Sequence, residues 1–269
     1  MTFGSPENKP YIGFTGNNNP ENVKALSDLF NSKLPLVPSH RGMMGFLVNK
    51  RSINGEVGNG RMFPPYAELP ELLKQAKMGG LTSLHYVPHT DVNISDQIQT
   101  MLKTDDLYDQ GLVDAVQLNN VWPDSDTLAQ IKTDFPGIKT IIQANKEKIS
   151  MSSDIELAHA FMDLDGLVDY LLFDPSAGKG MSFDPASVRS FYMVAGHFLP
   201  NSAIILAGGF DSFTTGRRIE RIGQMLHSKK FGIDAQTGLR DIPRHGQKGV
   251  FSLSKAENYL DQAVNFFKP

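Results

Sequence analysis

Asp174 stands where a carboxylate could take part in catalysis. The stretch DYLLFDPSAGKGMSFD, residues 169–184, runs through four apolar residues directly into this aspartate and then into a glycine-bearing segment. A buried strand that ends on a carboxylate either uses it for chemistry or lets it accept backbone hydrogen bonds where a loop begins. The residues by themselves leave both interpretations open.

The order of the elements along the chain determines where such a residue must lie. Short β-rich runs alternate with longer amphipathic runs, so the pattern predicts eight strand–helix pairs. Asn19, followed by Pro20, is predicted to begin the first helix, and Ser254 to precede the last one. The predicted strands cover residues 11–15, 43–49, 81–87, 114–118, 138–144, 168–174, 203–209 and 231–235. The predicted helices lie near residues 20–31, 66–78, 92–104, 124–134, 153–164, 184–197, 214–227 and 254–267.

This alternation favours an α/β fold, a closed (β/α)8 TIM barrel. Short, continuously apolar strands are typical of parallel sheets that are covered on both faces. An open doubly wound sheet could also hold this many strands, but eight pairs in 269 residues suit a barrel better. No linker divides residues 1–269, so one domain is predicted, with an enlarged loop at residues 49–60 after the second strand. Chemistry in such a barrel lies at the carboxyl ends of the strands, so Asp174 is expected to point into its mouth.

The charge and cysteine content of the chain argue against several classes of binding partner. A net charge of −3 gives no reason to expect nucleic acid or an anionic membrane, and the chain contains no cysteine for a disulfide, a thiolate metal site or a catalytic thiol. The first residues do not read as a secretory signal, and no apolar run approaches the roughly 18–20 residues that a bilayer span needs. The expectation is a soluble, cytoplasmic protein without a metal site. Its oligomeric state stays open.

Five motifs occur in an order and spacing that resembles the phosphoribosylanthranilate isomerase family, the TIM barrel of the tryptophan pathway. They are YIGFTGNNNPENV, DAVQL, YLLFDPSAGKGMSFD, ILAGGF and GIDAQTGLRD. The resemblance extends from the first strand to the last helix. It implies an isomerase that converts an aminoaldose into an aminoketose, acts on a phosphorylated small molecule and needs no cofactor.

The resemblance also implies a phosphate site in the loops after strands seven and eight. Here those loops carry Gly208, Gly209, Thr237 and Gly238. Glycines let backbone N–H groups approach phosphate oxygens, and a helix amino terminus adds a favourable dipole. The alternative is that these glycines only permit tight turns.

The family's reaction needs a general acid and a general base, and this sequence matches only the acid. Asp174 takes the position of the family's acid at the end of strand six. The family's base is a cysteine in a Lys-Ile-Cys-Gly-Ile-Thr motif, which residues 10–15 replace by Pro-Tyr-Ile-Gly-Phe-Thr. The cysteine position therefore falls on Ile12, or on Gly13 if the alignment slides by one residue, and neither can accept a proton.

An arginine after strand two reaches the substrate in this family. The segment NGRMFPPYAEL resembles the end of that loop and nominates Arg61, with Arg51 as the competing choice. Asp234 on strand eight matches a family aspartate and is expected to have a structural or ligand-orienting role.

Three polar residues near other strand ends complete the predicted site. His85 on strand three is a candidate for the missing base, because an imidazole titrates near neutral pH; the alternative is a hydrogen-bonded core histidine. Gln117 and Asn119 end strand four, where the family typically has a glutamine and then a histidine. Their amides suit hydrogen bonds to hydroxyls or to a carboxamide.

Three hypotheses for the function remain. The first is an isomerase-like enzyme for a phosphorylated sugar or ribosyl compound, with Asp174 as its acid/base. The second is a barrel that binds a phosphorylated ligand without catalysis, as a sensor or regulator. The third is another phosphate-barrel enzyme, of the indole-glycerol-phosphate or thiamine-phosphate synthase type.

Overall fold

Eight strands alternate with helices along the chain, as the sequence pattern predicts. The computed structural model describes residues 8–56, 62–88, 93–145, 154–175, 185–241 and 249–269. Each strand pairs in parallel with the next and the eighth pairs with the first, which closes the barrel and confirms the predicted (β/α)8 fold. The strands are β1 Tyr11–Thr15, β2 Arg41–Asn49, β3 Leu81–Val87, β4 Ala115–Leu118, β5 Lys139–Asn145, β6 Tyr170–Asp174, β7 Ala203–Ala207 and β8 Gly232–Ala235.

The helices pack outside the barrel, and their starts follow local capping chemistry. In the described residues they are α1 Pro20–Lys33, α2 Lys50–Ile53, α3 Leu69–Lys77, α4 Ile94–Lys103, α5 Ser125–Asp134, α6 Asp154–Leu164, α7 Pro185–Phe198, α8 Thr215–Leu226 and α9 Leu253–Phe267. The predicted start of α1 is confirmed, since the Asn19 side chain accepts a hydrogen bond from the Asn22 backbone N–H at 2.9 Å. None of the described helices has the length and apolar character to cross a membrane.

Several predicted boundaries differ from the structure by a few residues, and two of the differences have local causes near the helix starts. The last helix begins at Leu253, so Ser254 lies inside its first turn. The extended residue Ser252 occupies the N-cap position without a side-chain capping hydrogen bond, directly after Phe251, which bridges to Arg240. The predicted loop at 49–60 begins with the helical turn α2. Asn49 and Ser52 form a reciprocal capping box there. Residues 57–60 of that loop lie outside the described residues.

The strands are buried on both faces, and successive residues alternate between two hydrophobic clusters. The inner cluster fills the barrel with side chains such as Tyr11, Met43 and Ile141. The outer cluster lies between sheet and helices and includes Ile12 and Phe14. Side chains at every second position therefore point into the barrel, and at the carboxyl ends of most strands those positions are polar.

At the amino-terminal end of the barrel, a partly buried aspartate joins neighbouring strands at two places. Asp169, just before β6, accepts a hydrogen bond from the Thr140 backbone N–H at 2.9 Å and another from Lys132 Nζ at 2.8 Å. Asp114, just before β4, accepts one from the Thr82 backbone N–H, also at 2.9 Å. Each carboxylate thus joins the start of one strand to the start of its neighbour. In a (β/α)8 barrel, contacts at this end serve stability, and the chemistry lies at the opposite end.

Candidate active site

A cavity of about 280 Å³ opens at the carboxyl ends of the strands. Apart from Arg51, the competing choice after strand two, all the predicted site residues that the structure describes line it. They are Asp174, His85, Gln117, Asn119, Gly208, Gly209, Thr237 and Gly238. The predicted Arg61 lies outside the described residues.

Asp174 is buried and held in one orientation. It ends β6 and is only 4% exposed. Gln143 on the neighbouring strand β5 donates a hydrogen bond from Nε2 to Asp174 Oδ2 at 2.9 Å. The Gln143 amide is itself positioned, because its Oε1 accepts a hydrogen bond from the Asn120 backbone N–H at 3.2 Å. The Asp174 carboxylate therefore faces the cavity from a braced position.

A second buried carboxyl group, that of Asp234 on β8, lies in the same cavity. Thr15 at the end of β1 donates from Oγ1 towards both carboxylate oxygens, each at 3.1 Å. There is room for this carboxyl because Gly13 has no side chain: a Cβ there would lie 2.6 Å from Asp234 Oδ1. Sequence reasoning had given Asp234 a secondary role. Its position in the middle of a short apolar strand, pointing inward, was the available signal.

The environment of Asp234 changes its proton affinity. Burial raises the pKa of Asp234 to about 7, and the nearby negative charge of Asp174 adds to the rise, while the Thr15 hydrogen bond partly opposes it. Asp234 is thus part protonated and part ionised at neutral pH. A carboxyl group with this property can both accept and release a proton under physiological conditions.

His85 is fully enclosed at the same end of the barrel. Burial lowers the pKa of His85 to about 3, so the imidazole is neutral at pH 7. Its Nε2 has no hydrogen-bond partner among the described residues. The ring lies over Gly45, where a Cβ would be 2.4 Å from His85 Nε2 and 2.7 Å from Thr15 Oγ1. This geometry suits a neutral hydrogen-bonding group; catalysis by His85 stays a prediction.

Amide side chains occupy the β4 side of the cavity. Gln117 Nε2 donates to Asn119 Oδ1 at 2.7 Å, which fixes both amides. Gln117 Oε1 is buried and finds no partner among the described residues. A ligand with hydroxyl or N–H donors would complete this side of the site.

The glycine loops on the opposite side are of two kinds. Gly208 and Gly209 follow β7 with positive φ angles of 100° and 71°, a conformation that other residues rarely adopt. Gly238 is needed for a different reason: a Cβ on it would lie 2.1 Å from the carbonyl oxygen of Phe210. It therefore allows the loops after β7 and β8 to pack against each other.

The helix that follows the first glycine loop already has an anion at its amino terminus. The Asp211 carboxylate accepts hydrogen bonds from the backbone N–H groups of Phe213 and Thr214, both at 2.7 Å. The Asp211 carboxylate thus occupies N–H groups of the turn just before α8, whose N-cap residue Thr214 makes no side-chain capping hydrogen bond. A phosphate in this region would depend on the loop backbone at Gly208, Gly209 and Thr237.

Cationic side chains are missing from the described lining of the cavity, which contains two carboxyl groups but neither lysine nor arginine. Arg51, the competing candidate after strand two, is not part of the lining. It is exposed on α2, and its Nε donates to Glu56 Oε2 at 2.9 Å. The described residues also contain no group of three or more side chains arranged to hold a metal ion.

Ile12, one of the two positions that could correspond to the family's cysteine, does not face the cavity. Ile12 belongs to the hydrophobic cluster outside the barrel. The inward positions of β1 are Tyr11, Gly13 and Thr15, and of these Thr15 reaches the cavity. Sequence reasoning did not select Thr15, although a hydroxyl at the last position of a strand was a usable signal.

The comparisons with known proteins agree with this architecture. No family model and no curated protein matches the chain. TrpF from Jonesia denitrificans has a similar structure, with a TM-score of 0.60 and 16% identity over 94% of this chain and 96% of that one. Phosphoribosyl anthranilate isomerase from Thermococcus kodakaraensis gives a TM-score of 0.58 and 17% identity over 95% and 99% of the two chains. Tryptophan synthase subunit alpha from Legionella pneumophila str. Paris gives a TM-score of 0.58 and 10% identity over 96% of this chain and 93% of that one. At these identities the similarity is one of fold, and at that level it confirms the predicted resemblance: the chain has a phosphoribosylanthranilate-isomerase-like barrel.

Proposed function

We propose that this protein is an isomerase that acts by proton transfer on a phosphorylated sugar or ribosyl compound. In the proposed reactive state the two carboxyl groups share one proton, which Asp174 carries as the general acid, while ionised Asp234 takes the place of the missing thiol base. The observation that carries the proposal is the pair of buried carboxyl groups facing one cavity, of which Asp234 has a pKa raised to about 7 by burial and by the charge of Asp174. Pairs of carboxyl groups with different proton affinities are a recurring basis of acid–base catalysis.

The two carboxyl groups suit the two proton transfers of an aldose–ketose rearrangement. A proton from Asp174 to the ring oxygen would open an aminoaldose to its imine. Removal of the C2 proton by ionised Asp234 would give an enolamine. Return of that proton from Asp234 to C1, with loss of the C2 hydroxyl proton to the now ionised Asp174, would yield the aminoketose and restore both carboxyl groups. Thr15 keeps the Asp234 carboxyl in place through this exchange, since it donates a hydrogen bond to that group.

The phosphate is proposed to lie against Gly208, Gly209 and Thr237, where loop backbone is close to the cavity. Two carboxyl groups without a cation in the described lining make a dianion unfavourable there. The proposal therefore needs a cation from elsewhere in the chain, for which Arg61 is the sequence-based candidate. Replacing Arg61 with alanine is expected to raise KM for a phosphorylated substrate more than it lowers kcat.

The test is turnover of freshly prepared phosphoribosylanthranilate, followed by loss of its anthranilate fluorescence. The wild type is compared with Asp174→Asn, Asp234→Asn and the exposed control Asp163→Asn. Loss of at least about 100-fold in kcat is expected for the first two variants, as for removal of a general acid or base. A wild-type pH–rate profile with a limb near pH 7 that Asp234→Asn abolishes would identify the base.

A second measurement covers substrates other than phosphoribosylanthranilate. Candidate sugar phosphates are incubated with the protein in deuterium oxide, and NMR detects exchange of carbon-bound hydrogen. Exchange that depends on Asp234 supports proton abstraction even if product does not accumulate. Binding of sugar phosphates with neither exchange nor turnover would refute the isomerase and favour a binding barrel.

A further inference from the structure

A second cavity, of about 570 Å³, lies at the amino-terminal end of the barrel, away from the candidate active site. Its lining residues come just before β1, β2 and β8 and from the end of α9. These positions place it across the barrel from Asp174 and Asp234. The volume is within the range of roughly 300–1,000 Å³ that is typical of ligand pockets.

The charged side chains that line this cavity have one sign. Lys9, Lys229, Lys230 and Lys268 all belong to it, and its described lining contains neither aspartate nor glutamate. The whole chain, in contrast, has a net charge of −3. Four ammonium groups around one cavity make a local positive potential that favours an anion.

Two of these lysines are held in place by backbone carbonyl groups. Lys9 Nζ donates to the carbonyl oxygen of Pro38 at 2.9 Å, and Lys229 Nζ donates to that of Lys268 at 2.9 Å. An ammonium group has three N–H donors, so each retains donors for a further acceptor. Both ammonium groups therefore lie at the rim of the cavity with donors left for a ligand.

The walls between the lysines are flat and uncharged. Pro10, Pro38 and Phe267 line the cavity, and the His40 ring lies 4.0 Å from the Phe267 ring, centroid to centroid. His40 Nε2 is hydrogen-bonded to the carbonyl oxygen of Phe231 at 2.9 Å, which fixes the ring. Burial lowers the pKa of His40 to about 4, so this wall stays neutral at pH 7.

We propose that this cavity is a second binding site, which takes a small organic anion with a flat apolar body. The acid group of the ligand pairs with the lysines at the rim while its body lies against the proline, histidine and phenylalanine walls. The competing explanation is that the lysines only stabilise the carboxyl terminus of α9 through its dipole, as cations do at helix ends. That explanation predicts no preference for an anionic ligand.

The test uses two probes with the same aromatic body. 8-Anilino-1-naphthalenesulfonate carries a sulfonate, and N-phenyl-1-naphthylamine lacks it; both fluoresce more strongly in apolar surroundings. The variant Lys230→Gln/Lys268→Gln is compared with Lys24→Gln/Lys74→Gln, which removes the same charge from the outer helices. The proposal predicts a roughly tenfold higher Kd for the sulfonate probe in the first variant alone, and little change for the neutral probe.

The position of the bound probe is checked by NMR, from shifts of backbone amide signals. Shifts at His40 and Phe267, with none at Gly209 and Thr237, would support the proposal. Three results would overturn it. The first is equal affinity for the neutral probe and the sulfonate probe, and the second is an equal loss of sulfonate-probe affinity in the two double variants. The third is a set of amide shifts confined to the candidate active site around Gly209 and Thr237. Thermal unfolding of both variants shows whether a loss of binding comes from a loss of folding. Because the two cavities lie at opposite ends of the barrel, either proposal can fail without the other.

Discussion

At the residue scale, the candidate site depends on two glycines as much as on its two carboxyl groups. Gly13 makes room for the Asp234 carboxyl, and Gly45 makes room for the His85 ring. The polar groups therefore occupy space that side chains fill at other positions of the barrel. This use of missing side chains could not be derived from the sequence, because it depends on which residues face one another across the closed barrel.

The first prediction concerns the stability of Asp234→Asn as a function of pH. Burial, and next the charge of Asp174, raise the pKa of Asp234 to about 7 in the folded protein, against about 3.9 in the unfolded chain. The folded state therefore binds the proton more tightly, and the contribution of Asp234 to the wild-type free energy of unfolding falls as pH rises from about 4 to about 7. Asparagine does not titrate. The stability of the variant relative to wild type should rise over this range, by up to about 4 kcal/mol at about 1.4 kcal/mol per pKa unit.

Urea unfolding at pH 5 and at pH 8 measures this difference. Asp163→Asn serves as the control, because Asp163 is exposed on α6 and its replacement should leave the pH dependence of the wild type intact. A relative stability of Asp234→Asn that is the same at both pH values would contradict the raised proton affinity.

The second prediction concerns Gly45→Ala. The new methyl group would lie 2.4 Å from His85 Nε2 and 2.7 Å from Thr15 Oγ1, so both side chains must move. Overpacking of this kind typically costs about 1–3 kcal/mol. In the double variant Gly45→Ala/His85→Ala the collision with the ring disappears. The two substitutions should therefore be less destabilising together than the sum of their separate effects, which a double-mutant cycle of urea unfolding measures.

The sequence predicts the candidate residues better than their interactions. Asp174, His85 and Gln117 could be selected because they are polar residues at or near the ends of apolar strands, and all three line the cavity. The orientation of Ile12 and the proton affinity of Asp234 could not be predicted from the sequence. Both depend on how β1 pairs with its neighbours, and Thr15 and Asp234 are 219 positions apart in the chain.

At the element scale, the strand predictions hold within a few residues, and the differences have local causes. The seventh strand was predicted to reach Gly209, but β7 ends at Ala207 because Gly208 and Gly209 turn the chain with positive φ. The second strand was predicted to begin at residue 43, but β2 begins at Arg41, whose backbone N–H donates to the carbonyl oxygen of Pro10 at 3.0 Å. That bond joins distant parts of the chain, so local sequence gives no sign of it.

The third prediction concerns Asp169, which joins strands at the amino-terminal end. Burial alone would raise the pKa of Asp169, but hydrogen bonds from Lys132 and Thr140 and the charges of Lys132 and Lys139 outweigh it and lower the pKa. Asp169→Asn leaves Lys132 without its carboxylate in a partly buried position, at an expected cost of about 2 kcal/mol at pH 7. The stabilisation by the Asp169 carboxylate is present above the pKa of about 3.9 in the unfolded chain. It is lost as pH falls through the lower pKa of Asp169 in the folded protein.

Unfolding by urea at pH 7 and near pH 3 checks this sign. The destabilisation by Asp169→Asn should be large at pH 7 and smaller near pH 3. Asp28→Asn breaks an ion pair with Lys24 in which both side chains are exposed, so it should cost well under 1 kcal/mol at either pH. A destabilisation by Asp169→Asn that does not change with pH would mean that the charge of Asp169 has no part in it.

At the scale of the whole molecule, closure of the barrel brings the first and last strands together. Pairs such as Ile12 with Ile233 and Gly13 with Asp234 place the Asp234 carboxyl beside Thr15. The count of eight strand–helix pairs predicts that the sheet closes. It does not predict the register of the closing pair, which is what assembles this part of the candidate site.

The fourth prediction tests this closure with Gly232→Ala. A Cβ on Gly232 would lie 2.3 Å from the carbonyl oxygen of Tyr11 and 2.7 Å from its backbone nitrogen. These are backbone atoms of the paired strand, so the collision can be relieved only if β8 moves away from β1. We expect a loss of at least about 3 kcal/mol in the free energy of unfolding, at the upper end for overpacking.

Gly216→Ala on α8 is the matched control. Its nearest neighbour is the flexible Gln262 side chain at 3.2 Å, and alanine is a better helix former than glycine, so its stability should change little or rise. Because β1 and β8 also carry Thr15 and Asp234, the Gly232 variant should lose ligand affinity at the mouth even under conditions where it remains folded. Unchanged unfolding and unchanged ligand affinity in Gly232→Ala would show that the candidate site does not depend on close contact between the first and last strands.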